Sequence, residues 1–198
     1  MSFEMAGTDT FIFRAALQGS ASIYRDIELD PARSLYVLAE AIVSSFDFDF
    51  DHAFGFYTGL TPTKIHKTFP KYELFADMGD ADPRVLGVKK TRISQAFPEV
   101  GHIMLFLFDY GDGWLFRVTL RTIGKKTAKA RYPRIVATRG EALRNTPTMM
   151  TTPTTSRALE STPSRAKKYG LKNSTALRLE HRLEQLLRPI QPLLREDH

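Results

Sequence analysis

The stretch His102-Ile103-Met104-Leu105-Phe106-Leu107-Phe108-Asp109-Tyr110-Gly111-Asp112-Gly113-Trp114-Leu115-Phe116-Arg117-Val118-Thr119-Leu120-Arg121-Thr122-Ile123 decides the fold. Two β-prone apolar runs, His102–Tyr110 and Trp114–Ile123, are separated only by Gly111-Asp112-Gly113. Asp-Gly between such runs signals a hairpin, because glycine accepts the positive φ that a tight turn needs. Gly113 is therefore expected at positive φ. The hairpin is expected to supply the central strands of a sheet, with Trp114 packed across them.

Towards the N-terminus, Phe11–Leu17 reads as a strand and Gln18-Gly19-Ser20 as a turn. Ile23–Leu29 alternates with period two, placing Ile23, Ile27 and Leu29 on one side together with an out-of-place Arg25. Asp30-Pro31 ends that strand, and Ser34 is positioned as the N-cap of a helix running to Phe46. Leu35, Leu38, Ala39, Ile42 and Phe46 form one apolar helical face. Ala53–Thr58 and Tyr72–Phe75 read as further strands, and Arg92–Phe97 as a helical turn stopped by Pro98. This order is not a regular βαβ alternation. It predicts an α+β fold, a mainly antiparallel sheet with the helix packed on one face.

These elements predict a domain over residues 8–140. A Thr/Pro/Ser-rich linker is expected over 141–173, and an amphipathic helix within 174–198, where Leu179, Leu183, Leu186 and Leu187 share a face. The tail is read as disordered or poorly packed. The 198 residues contain no cysteine, which excludes disulfide scaffolds, thiolate zinc sites, iron–sulfur clusters and cysteine nucleophiles. No run approaches the ~20 apolar residues of a membrane-spanning helix. Met1–Thr10 carries two acids and no apolar stretch, unlike a secretory signal, so a cytoplasmic location and no membrane partner are expected. The net charge is +6, but residues 1–140 carry 18 basic and 16 acidic side chains while 141–198 carry 10 and 6. Most of the excess positive charge therefore lies in the tail.

Asp47, Asp49, Asp51 and His52 sit in a strict Phe/Asp alternation from Phe46. Alternate carboxylates of an extended segment face one way, and a divalent cation wants several oxygens at one point. Asp49, Asp51 and His52 are thus metal-ligand candidates, with Asp109 or Asp112 to complete the set. The competing reading is a strand-like segment that buries Phe46, Phe48 and Phe50 and leaves the acids in water. Asp109, Asp112 and Trp114 are binding-loop candidates, against a simple tight turn. No EF-hand is present, since Leu120 occupies the twelfth position from Asp109. Arg25 is either an anion-binding group or half of a buried ion pair with Asp109 or Asp112. Lys125, Lys126, Lys129, Arg131 and Arg134, with Tyr132 among them, form a basic stretch that either binds phosphate and stacks bases or is simply solvated. No Walker loop, dinucleotide fingerprint, zincin motif or nucleophile elbow occurs.

Three segments carry a resemblance. Ile23-Tyr24-Arg25-Asp26-Ile27-Glu28-Leu29 leads through Leu35, Leu38 and Ile42 to Phe46-Asp47-Phe48, His52 and Phe54. Phe106–Trp114 contains the most specific piece, Asp109-Tyr110-Gly111-Asp112-Gly113-Trp114, and Tyr132-Pro133-Arg134 leads to Gly140-Glu141-Ala142. Together they resemble the plasmid pRiA4b open-reading-frame-three-like family over roughly residues 10–142. Tyr24 stands where the family has Trp, Asp26 where it has a second Arg, and His52 alone remains of two histidines. The cysteines that many members carry after Tyr-Pro are missing, which weakens any metal role at those positions. The family has no established activity; some members bear a resolvase-like label from mobile elements, but this chain lacks a recombinase serine with its arginines. The resemblance and the residues together imply a non-catalytic binding module with nucleic acid or protein as partner. The alternative is a metal-dependent hydrolase or nuclease-like enzyme built on Asp47–His52, with a divalent cation as cofactor.

Beyond Ala142 the family pattern expects Pro-Pro-Glu-Tyr-Pro and a run of acids, whereas the chain reads Leu143-Arg144-Asn145-Thr146-Pro147-Thr148-Met149-Met150-Thr151. In a frame whose codons take the last base of one codon and the first two of the next, Met149 into Met150 and Met150 into Thr151 both read Asp. Asn145 into Thr146 reads Tyr where the Asn codon ends in T. Residues from Leu143 onward are therefore expected to be a frameshifted reading of the gene, and the tail's charge then says nothing about partners. Stop codons in the alternative frame near Met149 would exclude this.

Overall fold

The computed structural model describes residues 9–79 and 81–141. The central hairpin forms because its two runs can be buried. Strand β6 (Ile103–Phe108) and strand β7 (Trp114–Lys125) pair antiparallel from Phe108↔Trp114 to Ile103↔Thr119. Strands β1 (Asp9–Leu17) and β2 (Tyr24–Leu29) extend the sheet beyond β7, and β8 (Arg134–Arg139) pairs with β2 at the outer edge. On the other side lie β3 (Phe54–Tyr57), β4 (Lys71–Glu73) and β5 (Leu86–Gly87). The order across the eight strands is β5-β4-β3-β6-β7-β1-β2-β8, antiparallel throughout except for β4 with β5. The hairpin is central, as its composition predicts.

Helix α1 (Leu35–Ser45) covers one face. Leu35, Leu38, Ala39, Ile42 and Phe46 are all fully buried, and so is Val43. Beneath them lie Phe11, Phe13, Ile27, Met104, Phe106, Phe116 and Val118. Ser34 occupies the N-cap, but its side chain makes no capping bond. The free amides of the first turn donate instead to the loop before helix α2 (Ile93–Ala96): Leu35 N to Thr91 O at 3.0 Å and Tyr36 N to Val88 O at 3.1 Å.

The opposite face is divided. Over β3 and β6, a second apolar cluster unites Tyr57, Ile65, Leu105, Leu107 and Leu115. Strand β6 is therefore buried on both sides, which explains its unbroken apolar run. Over β7, β1, β2 and β8 the same face is polar and partly exposed.

Three expectations need correction. Phe46–Asp51 is not extended. Asp47 turns the chain at φ 61°, yet Phe46 and Phe48 are buried and Asp47, Asp49 and Asp51 exposed. The burial alternation holds, but a turn produces it. The hairpin loop spans Asp109–Gly113, because Asp109 leaves the strand at φ 55°. Tyr72–Phe75 divides between β4 and a 3-10 helix over Leu74–Met78. The linker beyond residue 141, the Ser174–Arg188 helix and the frame break at Leu143 lie outside the described residues.

Gly113 has φ 69°, and its amide donates to Asp109 O at 2.6 Å to close the loop. Gly113→Val forces a β-branched residue into the left-handed region. The expected loss is about 2 kcal/mol or more by denaturant unfolding. A loss below about 0.5 kcal/mol would show that the loop reorganises cheaply.

Candidate functional site

Two loops meet at one end of the sheet, and most of the residues singled out from the sequence lie in them. The Asp109 amide donates to Ala53 O at 3.0 Å, tying the hairpin loop to the segment after His52. Asp109 is 7% exposed. Its Oδ1 accepts from the amides of Gly111 at 2.9 Å and Asp112 at 3.3 Å, an Asx-type turn. Its Oδ2 lies 3.8 Å from His52 Nε2, and His52 Nδ1 is 2.5 Å from Asp51 Oδ1. The imidazole is thus held between two carboxylates, with its ring edge-on to Phe108. Trp114 packs on Phe48 at 4.9 Å between ring centres.

The structure brings Asp51, His52 and Asp109 into a string and leaves the Asp49 and Asp112 side chains exposed. Among the described residues, no three or more His, Asp or Glu side chains form a group that could hold a metal ion. The geometric reason is local. Half of the Asp109 carboxylate is directed into its own turn, and the bend at Asp47 removes the extended backbone that would align Asp47, Asp49 and Asp51.

Arg25 is 3% exposed and pairs with neither Asp109 nor Asp112, contrary to expectation. Its Nε donates to Ser45 O at 2.8 Å, and one terminal nitrogen donates to Tyr24 O at 2.9 Å, Arg139 O at 3.0 Å and Gly140 O at 3.3 Å. The guanidinium lies 4.6 Å over the Phe46 ring. Burial pulls its pKa down, while Asp47 opposes that shift. Arg25 joins the last turn of α1, where carbonyls lack helical partners, to the ends of β2 and β8.

Most of the basic stretch is also taken up internally. Lys125 pairs with Asp9, Lys126 with Asp30 at 2.6 Å, and Arg134 with the buried Glu28 at 2.6 Å. The Tyr132 hydroxyl accepts from Thr127 N at 2.9 Å, and Arg134 lies 5.5 Å over its ring. The expected stacking group is therefore engaged within its own loop.

Sequence reasoning passed over two arrangements. The first is a buried hydroxyl pair, Tyr57 with Tyr110 at 2.9 Å, near Glu73. Burial raises the pKa of both phenols and of the Glu73 carboxyl. A Cβ at Gly55 would lie 2.7 Å from the Tyr57 hydroxyl, so this glycine makes room for that ring. The signal available was Gly55 between Phe54 and Phe56.

The second is the open half-face. Strand register places Arg117, Ala16, Tyr24 and Arg139 in one row across β7, β1, β2 and β8, with Thr119, Arg14, Asp26 and Ala137 in the next. Arg14 donates to both oxygens of Asp26, at 2.8 and 2.7 Å, and lies 3.8 Å over the Tyr24 ring. Asp26 and the Tyr24 ring together hold the guanidinium plane in place. No ion pair among the described residues involves Arg117 or Arg139.

A model built on the plasmid pRiA4b ORF-3-like proteins matches residues 10–146. The chain belongs to that family. The pRiA4b ORF-3-like fold extends to a protein of unknown function from Methanosarcina mazei Go1. Its crystal structure superposes with TM-score 0.56 at 19% identity, covering 70% of this chain and 73% of the other. No curated protein matches the chain. Among the described residues, no helix is long and apolar enough to cross a membrane.

Proposed function

We propose that residues 8–140 of this pRiA4b ORF-3-like protein form a non-catalytic binding module whose working surface is the open face of β7, β1, β2 and β8. One contrast carries this. Arg25, Asp109 and most of the basic stretch are engaged in holding backbone and strand ends together, whereas the half-face presents Arg117 and Arg139 without ion pairs among the described residues. A cytoplasmic setting and a mobile-element context fit such a module.

The rival is a metal-dependent hydrolase or nuclease-like enzyme on Asp47–His52. It draws on the Asp51–His52–Asp109 string, since a histidine fixed by carboxylates is a common metal-site motif. Calorimetric titration of Mg²⁺, Mn²⁺ and Zn²⁺ into the full chain decides between them. The module predicts no stoichiometric binding and no change when Asp49, Asp51 and His52 are replaced together by Asn, Asn and Gln. One-to-one binding that this triple variant abolishes, with its unfolding curve unchanged, would overturn the module.

A further inference from the structure

We propose that this open half-face binds single-stranded nucleic acid, with the Arg14 guanidinium as a plane for base stacking and Arg117 and Arg139 as phosphate contacts. The proposal rests on the binding-module reading and names its ligand.

Three features of the face point to this chemistry. First, the charge is one-sided: Arg14, Arg117 and Arg139 share two adjacent rows with one acid, Asp26. Asp26 engages Arg14 alone, so the outer two cations remain for a ligand. They stand on the first and last of four adjacent strands, about 14 Å apart at the usual inter-strand spacing. Second, the Arg14 guanidinium is pre-organised. Tyr24 lies beneath it, Asp26 grips its edge, and the side chain remains 33% exposed. A planar cation held 3.8 Å over an aromatic ring is a surface on which nucleobases stack, with less side-chain entropy left to lose. Third, the side chains that flank Arg14, Tyr24 and Asp26 in these two rows are small: Ala16, Thr119 and Ala137. A protein interface of ordinary affinity favours a core of several aromatic and large apolar side chains, whereas the one aromatic ring of these two rows, Tyr24, lies under the Arg14 guanidinium. Duplex grooves admit a helix or a two-stranded ribbon, and a broad sheet face enters neither. An extended single strand can lie across the rows with its bases down and its phosphates towards the two arginines.

The test is fluorescence anisotropy of a labelled oligothymidylate of about twelve nucleotides against the full chain, between about 50 and 200 mM salt. Wild type is expected to bind. Arg117→Ala with Arg139→Ala is expected to weaken binding at least ~10-fold and to make the log K against log salt slope shallower by about 1.4, two phosphate contacts at ~0.7 each. Arg14→Lys keeps the charge and loses the plane, so it is expected to weaken binding with the slope unchanged. Arg117→Lys with Arg139→Lys is expected to restore the slope, which separates lost contacts from lost folding. Absence of binding at the lowest salt would overturn the proposal. So would equal affinity for a duplex or for polyglutamate, or variants that bind like wild type. The last result would place the binding on the cations beyond residue 141. The divalent titration remains a separate test of the module itself, so the two can fail independently.

Discussion

Leu38→Ala is expected to lower the free energy of unfolding by about 2–5 kcal/mol. Leu38 is fully buried on α1, in the cluster that joins the helix to Phe13, Phe106 and Phe116. Removing its branched end costs the transfer free energy of three carbons and leaves a cavity walled by rigid aromatic rings, which collapse poorly into it. Urea unfolding followed by the fluorescence of Trp114 measures this directly. A loss under about 0.5 kcal/mol would mean that α1 does not seat this face on the sheet.

Arg25→Met is expected to cost about 3 kcal/mol. It keeps much of the side-chain volume but removes the Arg25 hydrogen bonds to Ser45 O, Tyr24 O, Arg139 O and Gly140 O. A charged hydrogen bond contributes roughly 1.5–3 kcal/mol, and a buried acceptor left without a partner costs more than one returned to water. The Ser45 carbonyl is the one most affected, since its bond from Arg25 is fully buried. Arg25→Lys is expected to recover less than half of the loss, because an ammonium cannot reach the helix end and the β8 end as a planar fork does. A lysine variant as stable as wild type would show that charge alone suffices there.

These two residues also show what the sequence makes legible. Leu38 was evident because helical periodicity is a property of neighbours in the chain. The same holds for the β6–β7 hairpin, with its apolar runs around Asp-Gly. Arg25 could be recognised as out of place on an apolar face, but not its partners. Backbone carbonyls carry no residue identity, and Arg139 and Gly140 lie more than a hundred positions away. Strand β8 was missed for a related reason. Arg134–Arg139 offers only the three-residue apolar run Ile135-Val136-Ala137 and no alternation, it is exposed at nearly every position, and it is a strand because β2 offers a free edge. In Phe46–Asp51 a bend at Asp47 imitates the burial pattern of a strand. The basic stretch misled in the opposite direction. Its charges look available in the sequence, while Asp9, Asp30 and Glu28, from the ends of β1 and β2, are brought to them only by folding.

The candidate site was legible only in part. His52, Asp51 and Asp109 were named, and the fold does join them, but as a string that fastens two loops. The open half-face was not legible, because its rows combine residues from four strands. Tyr24 and Asp26 drew notice only as departures from the family pattern, and their packing under Arg14 depends on the β1–β2 register.

The most direct test of the central claim is an arginine footprint of the full chain. Arginine-selective dicarbonyl modification would be mapped by mass spectrometry with and without the oligothymidylate. Arg117 and Arg139 are expected to lose reactivity in the complex, while the exposed Arg33 and Arg92 keep theirs. Protection confined to Arg33, Arg92, Arg131 or the arginines beyond residue 141, with Arg117 and Arg139 unchanged, would contradict the assignment of the open half-face as the working surface.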